Sequence, residues 1–190
     1  HRLALVTLPH IGAKFSVVVP RDALPALTTI DAADVQVGKN FMLFTSGNRS
    51  LLVRLALTPF PQWKPIMPRL VNRVVVDGGA LLGMLRRAQI TRSETFKVGS
   101  GLSRGGMRFT LNGCLTGEVV ENDKGAFSEE LELVGECEPI TTGFNPDYLK
   151  EFLATGEGEC EIGWTDARSA FQFQWVSESS YTYIVVPRRV

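Results

Sequence analysis

The sequence predicts an α+β protein built from a repeated βαβββ unit, with antiparallel sheets and the helices on one side. Three observations carry this. A β-branched run, a short helix pattern and several alternating strands succeed one another three times along the chain. The helical segments begin near residues 21, 77 and 145, at intervals of 56 and then 68 residues. Clusters of Gly, Asn, Asp and Ser separate the strands and supply turn chemistry. Two such units packed together make one domain, so three make one and a half.

In the first unit, Phe15-Ser16-Val17-Val18-Val19-Pro20 reads as the leading strand and Arg21 to Ile30 as a helix. Leu24, Leu27 and Ile30 recur at helical spacing, but Pro25 lies near the first turn and distorts it. Strands follow over Asp34 to Val37, Phe41 to Thr45 and Leu51 to Leu57, split by Gly38-Lys39-Asn40 and Ser46-Gly47-Asn48. The stretch from Pro59 to Pro68 holds four prolines, which neither a helix nor a central strand accepts. It reads as a domain linker, with domains over 1–62 and 63–190.

In the second unit, Arg73 to Val76 leads into a helix over Asp77 to Ile90. Leu81, Leu82, Leu85 and Ala88 form its apolar face, and Arg86 and Arg87 point elsewhere. Strands are expected over Phe96 to Leu102, Met107 to Leu111, Leu115 to Val120 and Phe127 to Cys137. In the third unit, Pro139 to Phe144 leads into the clearest helix, Asn145 to Thr155. Asn145 suits the N-cap, Pro146 the first helical position, and Asp147 the positive helix end. Tyr148, Leu149, Phe152 and Leu153 share a face, and Gly156 stops the helix. Strands then run over Cys160 to Trp164, Ser169 to Trp175 and Tyr181 to Val186.

Composition excludes several classes. The chain of 190 residues balances 20 Lys/Arg against 20 Asp/Glu, with 44% apolar residues. A neutral protein does not hold nucleic acid by bulk positive charge. The balance hides a split: residues 1–67 carry seven Lys/Arg against three Asp, a surplus of four, and the rest a deficit of four. No run approaches 18 uncharged apolar residues, so no membrane helix and no membrane partner is expected. The chain opens on His1-Arg2-Leu3-Ala4-Leu5-Val6, already strand-like and without Met or a signal pattern, and reads as part of a longer chain.

Catalytic chemistry finds little support. The two histidines are His1 and His10, and no Cys-x-x-Cys or His-Glu-x-x-His spacing occurs, so neither a metal nor a cofactor is expected. Cys114, Cys137 and Cys160 stand singly in strand-like contexts and read as buried inert thiols. There is no Gly-x-x-x-x-Gly-Lys phosphate loop. Glu129, Glu130 and Glu132 alternate with leucines as on a strand with a solvated face. Arg21, Arg86, Arg87 and Lys150 sit on the helices. Helices sharing one side would make a weak positive strip there; ordinary solvated helix faces are the competing reading.

At this point the residues resemble the bacterial sliding clamp, the β subunit of DNA polymerase III, from partway through its middle domain to its C-terminus. His1-Arg2-Leu3-Ala4 resembles the segment after Thr-Asp-Gly in that domain, and Val18-Val19-Pro20-Arg21 the strand entering its next helix. Phe60-Pro61-Gln62-Trp63 is similar to the interdomain Phe-Pro-Asp-Tyr. Phe144-Asn145-Pro146-Asp147-Tyr148-Leu149 is similar to Phe-Asn-x-x-Tyr-Leu at the last helix. Tyr183 to Val190 is similar to the terminal Tyr-x-x-Met-Pro-x-Arg-Leu. Order and spacing make the match specific.

The resemblance implies a DNA-clamp fold and a non-catalytic processivity factor of the bacterial cytoplasm, associated with the nucleoid during replication. It implies a homodimeric ring of six similar domains that encircles double-stranded DNA without reading sequence, its helices lining the hole. It also implies a pocket between the second and third domains where polymerase, clamp loader and repair proteins insert a short Gln/Leu/Phe-type peptide. The pocket positions fall on His1, Arg2 and Leu3, on Pro61, Pro65 and Ile66, and on Arg168 and Ala170. The tail adds Ile184, Val186, Pro187, Arg188, Arg189 and Val190. Pro65 stands where the family often has Arg, Arg168 where it is usually apolar, and Val186 where it has Met. Subunit contact falls on Ile90 and Thr91. The rival readings are a clamp-like peptide-binding module that forms no ring, and a small α+β enzyme with an unrecognised site.

Overall fold

A computed structural model describes residues 2–8, 12, 14–31, 34–91, 96–98, 101–103, 106–122 and 125–188. The chain divides into two compact units: Pro9–Gln62, and His1–Leu8 together with Trp63–Val190. The sequence reading assigned residues 1–8 to the same domain as 9–62. They pack instead with the later unit, because β1 (Arg2–Val6) pairs antiparallel with a strand near the C-terminus.

The smaller unit begins its helix as one 3-10 turn, Arg21–Ala23, followed by α1 (Leu24–Leu27). This is shorter than the expected Arg21 to Ile30, with a proline in the first turn of α1. Then come β2 (Asp34–Val37), β3 (Phe41–Ser46) and β4 (Arg49–Arg54), an antiparallel meander in that order. Phe15 to Pro20, expected as a strand, joins no sheet among the described residues. Its backbone link outward is Ala56 N–H donated to Val18 C=O at 2.9 Å.

The larger unit holds two interlocked repeats. The first runs β5 (Asn72–Asp77), α2 (Gly78–Thr91), β6 (Phe96–Val98), β7 (Gly101–Ser103), β8 (Met107–Leu111), β9 (Cys114–Asn122) and β10 (Gly125–Glu132). The second runs β11 (Ile140–Phe144), α3 (Pro146–Leu153), β12 (Glu159–Trp164), β13 (Phe171–Trp175) and β14 (Glu178–Val185). The expected strand Phe96 to Leu102 is instead two strands, β6 paired antiparallel with β7. The expected strand Phe127 to Cys137 ends at Glu132; beyond it Val134 bridges to Val75.

The repeats interlock by exchanging their leading strands. One sheet has the order β1-β14-β13-β12-β5, the other β10-β9-β8-β11. Thus β5, which leads into α2, completes the sheet of the second repeat, and β11, which leads into α3, completes that of the first. Between them lies one core. Leu81, Met84, Leu85 and Ala88 recur at helical spacing on α2, and Leu149, Phe152 and Leu153 on α3; all are buried. Phe152 stacks on Trp175 and Tyr183, with ring centroids 5.2 and 5.5 Å away.

Local chemistry sets the helix ends. Asn145 caps α3 by accepting the Asp147 N–H at 3.1 Å, and Asp77 Oδ1 accepts the Ala80 N–H at 2.6 Å at the start of α2. Gly78 and Gly156 are required by packing: a Cβ at either would lie 2.5 or 2.6 Å from the Trp175 ring. Of the three cysteines only Cys160 is buried; Cys114 and Cys137 are half-buried, so the expected burial holds at one. Among the described residues no helix is long and apolar enough to cross a membrane.

Candidate partner-peptide site

The larger unit brings the first and last described segments of the chain together. The β1–β14 ladder sets Arg2 opposite Val185 and Leu3 opposite Ile184. Tyr183 and Val185 face the core, and Ile184, on the other face of β14 with Leu3, is also fully buried, while Leu3 is half-buried. Beyond β14 the chain carries half-buried Val186, Pro187 and Arg188, and the Arg188 N–H donates to Gly143 C=O on β11 at 2.7 Å. That bond fixes the course of the tail after Pro187. Ala170, half-buried, directly precedes Phe171, which pairs with Val185.

Arg168 is exposed on the turn between β12 and β13. The turn is organised by Asp166, whose Oδ1 accepts the Arg168 and Ser169 N–H groups at 2.8 and 2.9 Å and whose Oδ2 accepts the Ser169 hydroxyl at 2.6 Å. The Ser169 hydroxyl, then these N–H groups, hold its carboxyl below the ordinary carboxylate range. Thr142 on β11 donates to Ala167 C=O at 3.1 Å, tying the turn to the neighbouring sheet. Pro65 and Ile66 lie exposed on a 3-10 turn, Lys64–Ile66, of the same unit. Pro61 belongs to the other unit. His1, Arg189 and Val190 lie outside the described residues.

Sequence reasoning missed what holds Arg2. Its guanidinium lies over the Tyr148 ring and pairs with Glu151 at 2.7 Å, both on α3. The signal was present as Tyr and Glu three residues apart, one turn of the same helix. Beneath them the Tyr183 hydroxyl is buried without a hydrogen-bond partner. Burial raises its pKa to about 12, against a smaller opposing pull from Arg2. Arg2, opposite Val185, thus turns to α3, while Leu3, opposite Ile184, lies on the other face of the ladder. Leu3, Val186 and Pro187 remain partly open, and apolar residues of that kind suit a short peptide with apolar anchors. An open cavity of about 490 Å³ on the same unit lies elsewhere, among Val6, Thr155, Glu157, Trp175, Glu178 and Tyr181.

The helix cations are largely engaged. Arg87 donates to Glu129 on β10 at 2.8 Å through Nε and 2.5 Å through Nη2. Lys150 Nζ donates to Gln89 at 2.7 Å and pairs with Asp147 at 2.9 Å. Arg86 on α2 and Arg21 on the small unit's 3-10 turn are exposed. Glu130 and Glu132 face solvent as expected, whereas Glu129 faces Arg87. Ile90 is 79% exposed at the end of α2, and the adjacent Thr91 hydroxyl donates to Ala88 C=O at 3.2 Å.

The chain is 27% identical over 203 residues to a β sliding clamp of Proteus mirabilis, and 27% over 208 residues to that of Vibrio cholerae serotype O1. Both alignments cover 100% of this chain and 53% or 52% of the relative. The chain therefore spans about half the length of the curated relatives it matches. Among solved structures, the sliding clamp of Pseudomonas aeruginosa matches with a TM-score of 0.88 at 24% identity. The polymerase III β protein of Caulobacter crescentus matches with 0.87 at 23%. Each match covers 100% of this chain and 54% or 52% of the other. No family model matches. The chain is thus similar to β sliding clamps along its whole length and has their α+β fold.

Proposed function

We propose that this chain is part of a sliding clamp: a non-catalytic DNA polymerase processivity factor whose whole form encircles double-stranded DNA as a homodimeric ring. Residues 1–62 correspond on this reading to the C-terminal half of the middle domain and 63–190 to the C-terminal domain. The carrying observation is the similarity to β sliding clamps over every residue of the chain, joined to the same fold. Encirclement holds DNA by topology, so a neutral chain with few free helix cations suffices; Arg21 and Arg86 serve first, with Arg87 and Lys150 tempered by their carboxylates. The exposed Ile90 with Thr91 supports a subunit contact at the end of α2. Such a factor works in the bacterial cytoplasm, at the nucleoid during replication.

The peptide site is the part that this chain can test. Polymerase, clamp loader and repair proteins would lay a short apolar segment along Leu3, Pro65, Ile66, Ala170, Val186 and Pro187, with the buried Ile184 beneath Leu3. Arg168 and Arg188 supply donors, Arg2 is engaged by α3, and His1, Arg189 and Val190 are assigned to the site from the resemblance alone. A titration with a Gln-Leu-x-Leu-Phe peptide should saturate. Pro187→Ala with Arg189→Ala should weaken it about tenfold, ~1.4 kcal/mol. Absence of saturable binding, or binding indifferent to those substitutions, would overturn the reading.

A further inference from the structure

Three apolar residues of the candidate peptide site each lie within three positions of a cation. Ile66 stands three residues before Arg69, Pro187 directly before Arg188, and Ala170 two residues after Arg168. All belong to the larger unit, and its fold brings these segments to one turn. Thr165, where the turn between β12 and β13 begins, donates its hydroxyl to Arg69 C=O at 2.6 Å. Two successive residues of β11 hold the rest. Thr142 donates to Ala167 C=O at 3.1 Å, and Gly143 C=O accepts the Arg188 N–H at 2.7 Å. The backbones of Arg69, Arg168 and Arg188 therefore converge on this turn. Arg69 and Arg168 are exposed, and Arg188 is half-buried.

Little in the unit answers this charge. Residues 68–190 carry four more acids than bases, yet segments 64–69, 165–170 and 186–188 hold four cations, Lys64 included, against one acid, Asp166. Asp166 spends both its oxygens inside the turn, on the Arg168 and Ser169 N–H groups and the Ser169 hydroxyl. Elsewhere in the unit Arg73, Arg87, Arg108 and Lys150 each pair with a carboxylate. Among the described residues Arg69 and Arg168 enter no such pair. A guanidinium left in this state gains charge-assisted hydrogen bonds, two in parallel, when a carboxylate arrives beside it.

Resting on the peptide-site reading above, we propose that the site selects acidic peptides, in which Asp or Glu flanks the apolar anchors, and that Arg69 and Arg168 are the selecting residues. The apolar anchors settle on the partly open Val186 and Pro187, and the flanking carboxylates take the guanidinium groups at the turn. The same cations repel a basic segment, so selection works by repulsion as well as attraction. Nucleic-acid phosphate could meet the cations too, but it has no apolar group to set against Val186 and Pro187.

Fluorescence anisotropy with the whole chain tests this, using a labelled Gln-Leu-x-Leu-Phe peptide flanked at both ends by Asp-Asp, Asn-Asn or Lys-Lys. The Asp form should bind about tenfold tighter than the Asn form at low salt, and about threefold tighter in half-molar salt, where exposed charges are screened. The Lys form should bind more weakly than the Asn form, a comparison that needs no substitution in the protein. Arg69→Gln with Arg168→Val should bring the Asp and Asn forms to within about twofold of each other. If no form saturates, the peptide-site reading fails and this proposal with it. If the Asn form saturates and the Asp form gains nothing, or keeps its gain in the double variant, the site stands and the selection is overturned. A short duplex DNA that displaces the Asp form, and loses its own affinity in the double variant, would assign the cations to phosphate and overturn the selection too.

Discussion

The Arg2 guanidinium carbon lies 4.4 Å from the centroid of the Tyr148 ring. This stacking, with the Glu151 pair, fastens edge strand β1 to helix α3. Both charged side chains are substantially exposed, 37% and 54%, so the ion pair alone is worth little. The ring adds about 0.5–1 kcal/mol. Arg2→Ala should therefore lower stability by about 1 kcal/mol in urea titration. In a double-mutant cycle with Tyr148→Leu the coupling should be about 0.5 kcal/mol. Arg2→Lys should recover only part, since lysine lacks the planar face. A zero coupling would refute the stacking as a fastening.

Trp175 tests the close packing at the opposite end of α3. Its ring fills the space that a Cβ at Gly78 or Gly156 would occupy. The ring itself is 3% exposed and stacked on Phe152, so it cannot swing clear. Gly78→Ala and Gly156→Ala should each cost about 1–3 kcal/mol by overpacking, at Gly78 despite the better helix propensity of alanine. Thermal melts followed by tryptophan fluorescence read this directly. A neutral or stabilising Gly78→Ala would mean that the ring has room to move.

The ion pair between Arg87 and Glu129 gives stability an acid limb. The guanidinium hydrogen bonds hold the Glu129 carboxyl below its ordinary 4.5. A carboxyl with a lower pKa when folded contributes stability above its unfolded pKa and loses it as pH falls through the folded value. Urea midpoints should therefore fall more between about pH 5 and about pH 3 in the native chain than in Glu129→Gln. Arg87→Gln should flatten the difference in the same way. Parallel curves for the three proteins would sink the assignment.

What the sequence made legible was local. Asn145, Pro146 and Asp147 announced the start of α3 because capping, a fixed φ and the helix dipole act within one turn. The alternation in β12 and β13 announced two strands for the same reason. Exchange of β5 and β11 between repeats was not legible, since a leading strand carries no mark of which sheet it enters. Residues 1–8 joined the larger unit by the same kind of non-local pairing. Phe15 to Pro20 reads as a strand but joins no sheet among the described residues, though Val18 C=O accepts the Ala56 N–H. At the candidate site the residues come from the resemblance. The fastening of Arg2 by Tyr148 and Glu151 was not legible, because it joins residues nearly 150 positions apart.

The cysteines should separate by environment. Cys160 has 0% exposure between Val76 and Trp175, and burial raises its thiol pKa to about 12. Burial also raises the Cys137 thiol, though that side chain reaches solvent, as Cys114 does. Only the thiolate reacts with a disulfide reagent. Titration of the native chain near neutral pH should therefore consume two thiols, Cys137 more slowly than its ordinary rate, and leave Cys160 silent until denaturant is added. Cys114→Ala with Cys137→Ala should abolish the native signal and keep the denatured one. Rapid reaction of a third thiol in the native chain would show that the β12–β13 pair opens locally, and that the core beneath Trp175 is looser than its packing implies.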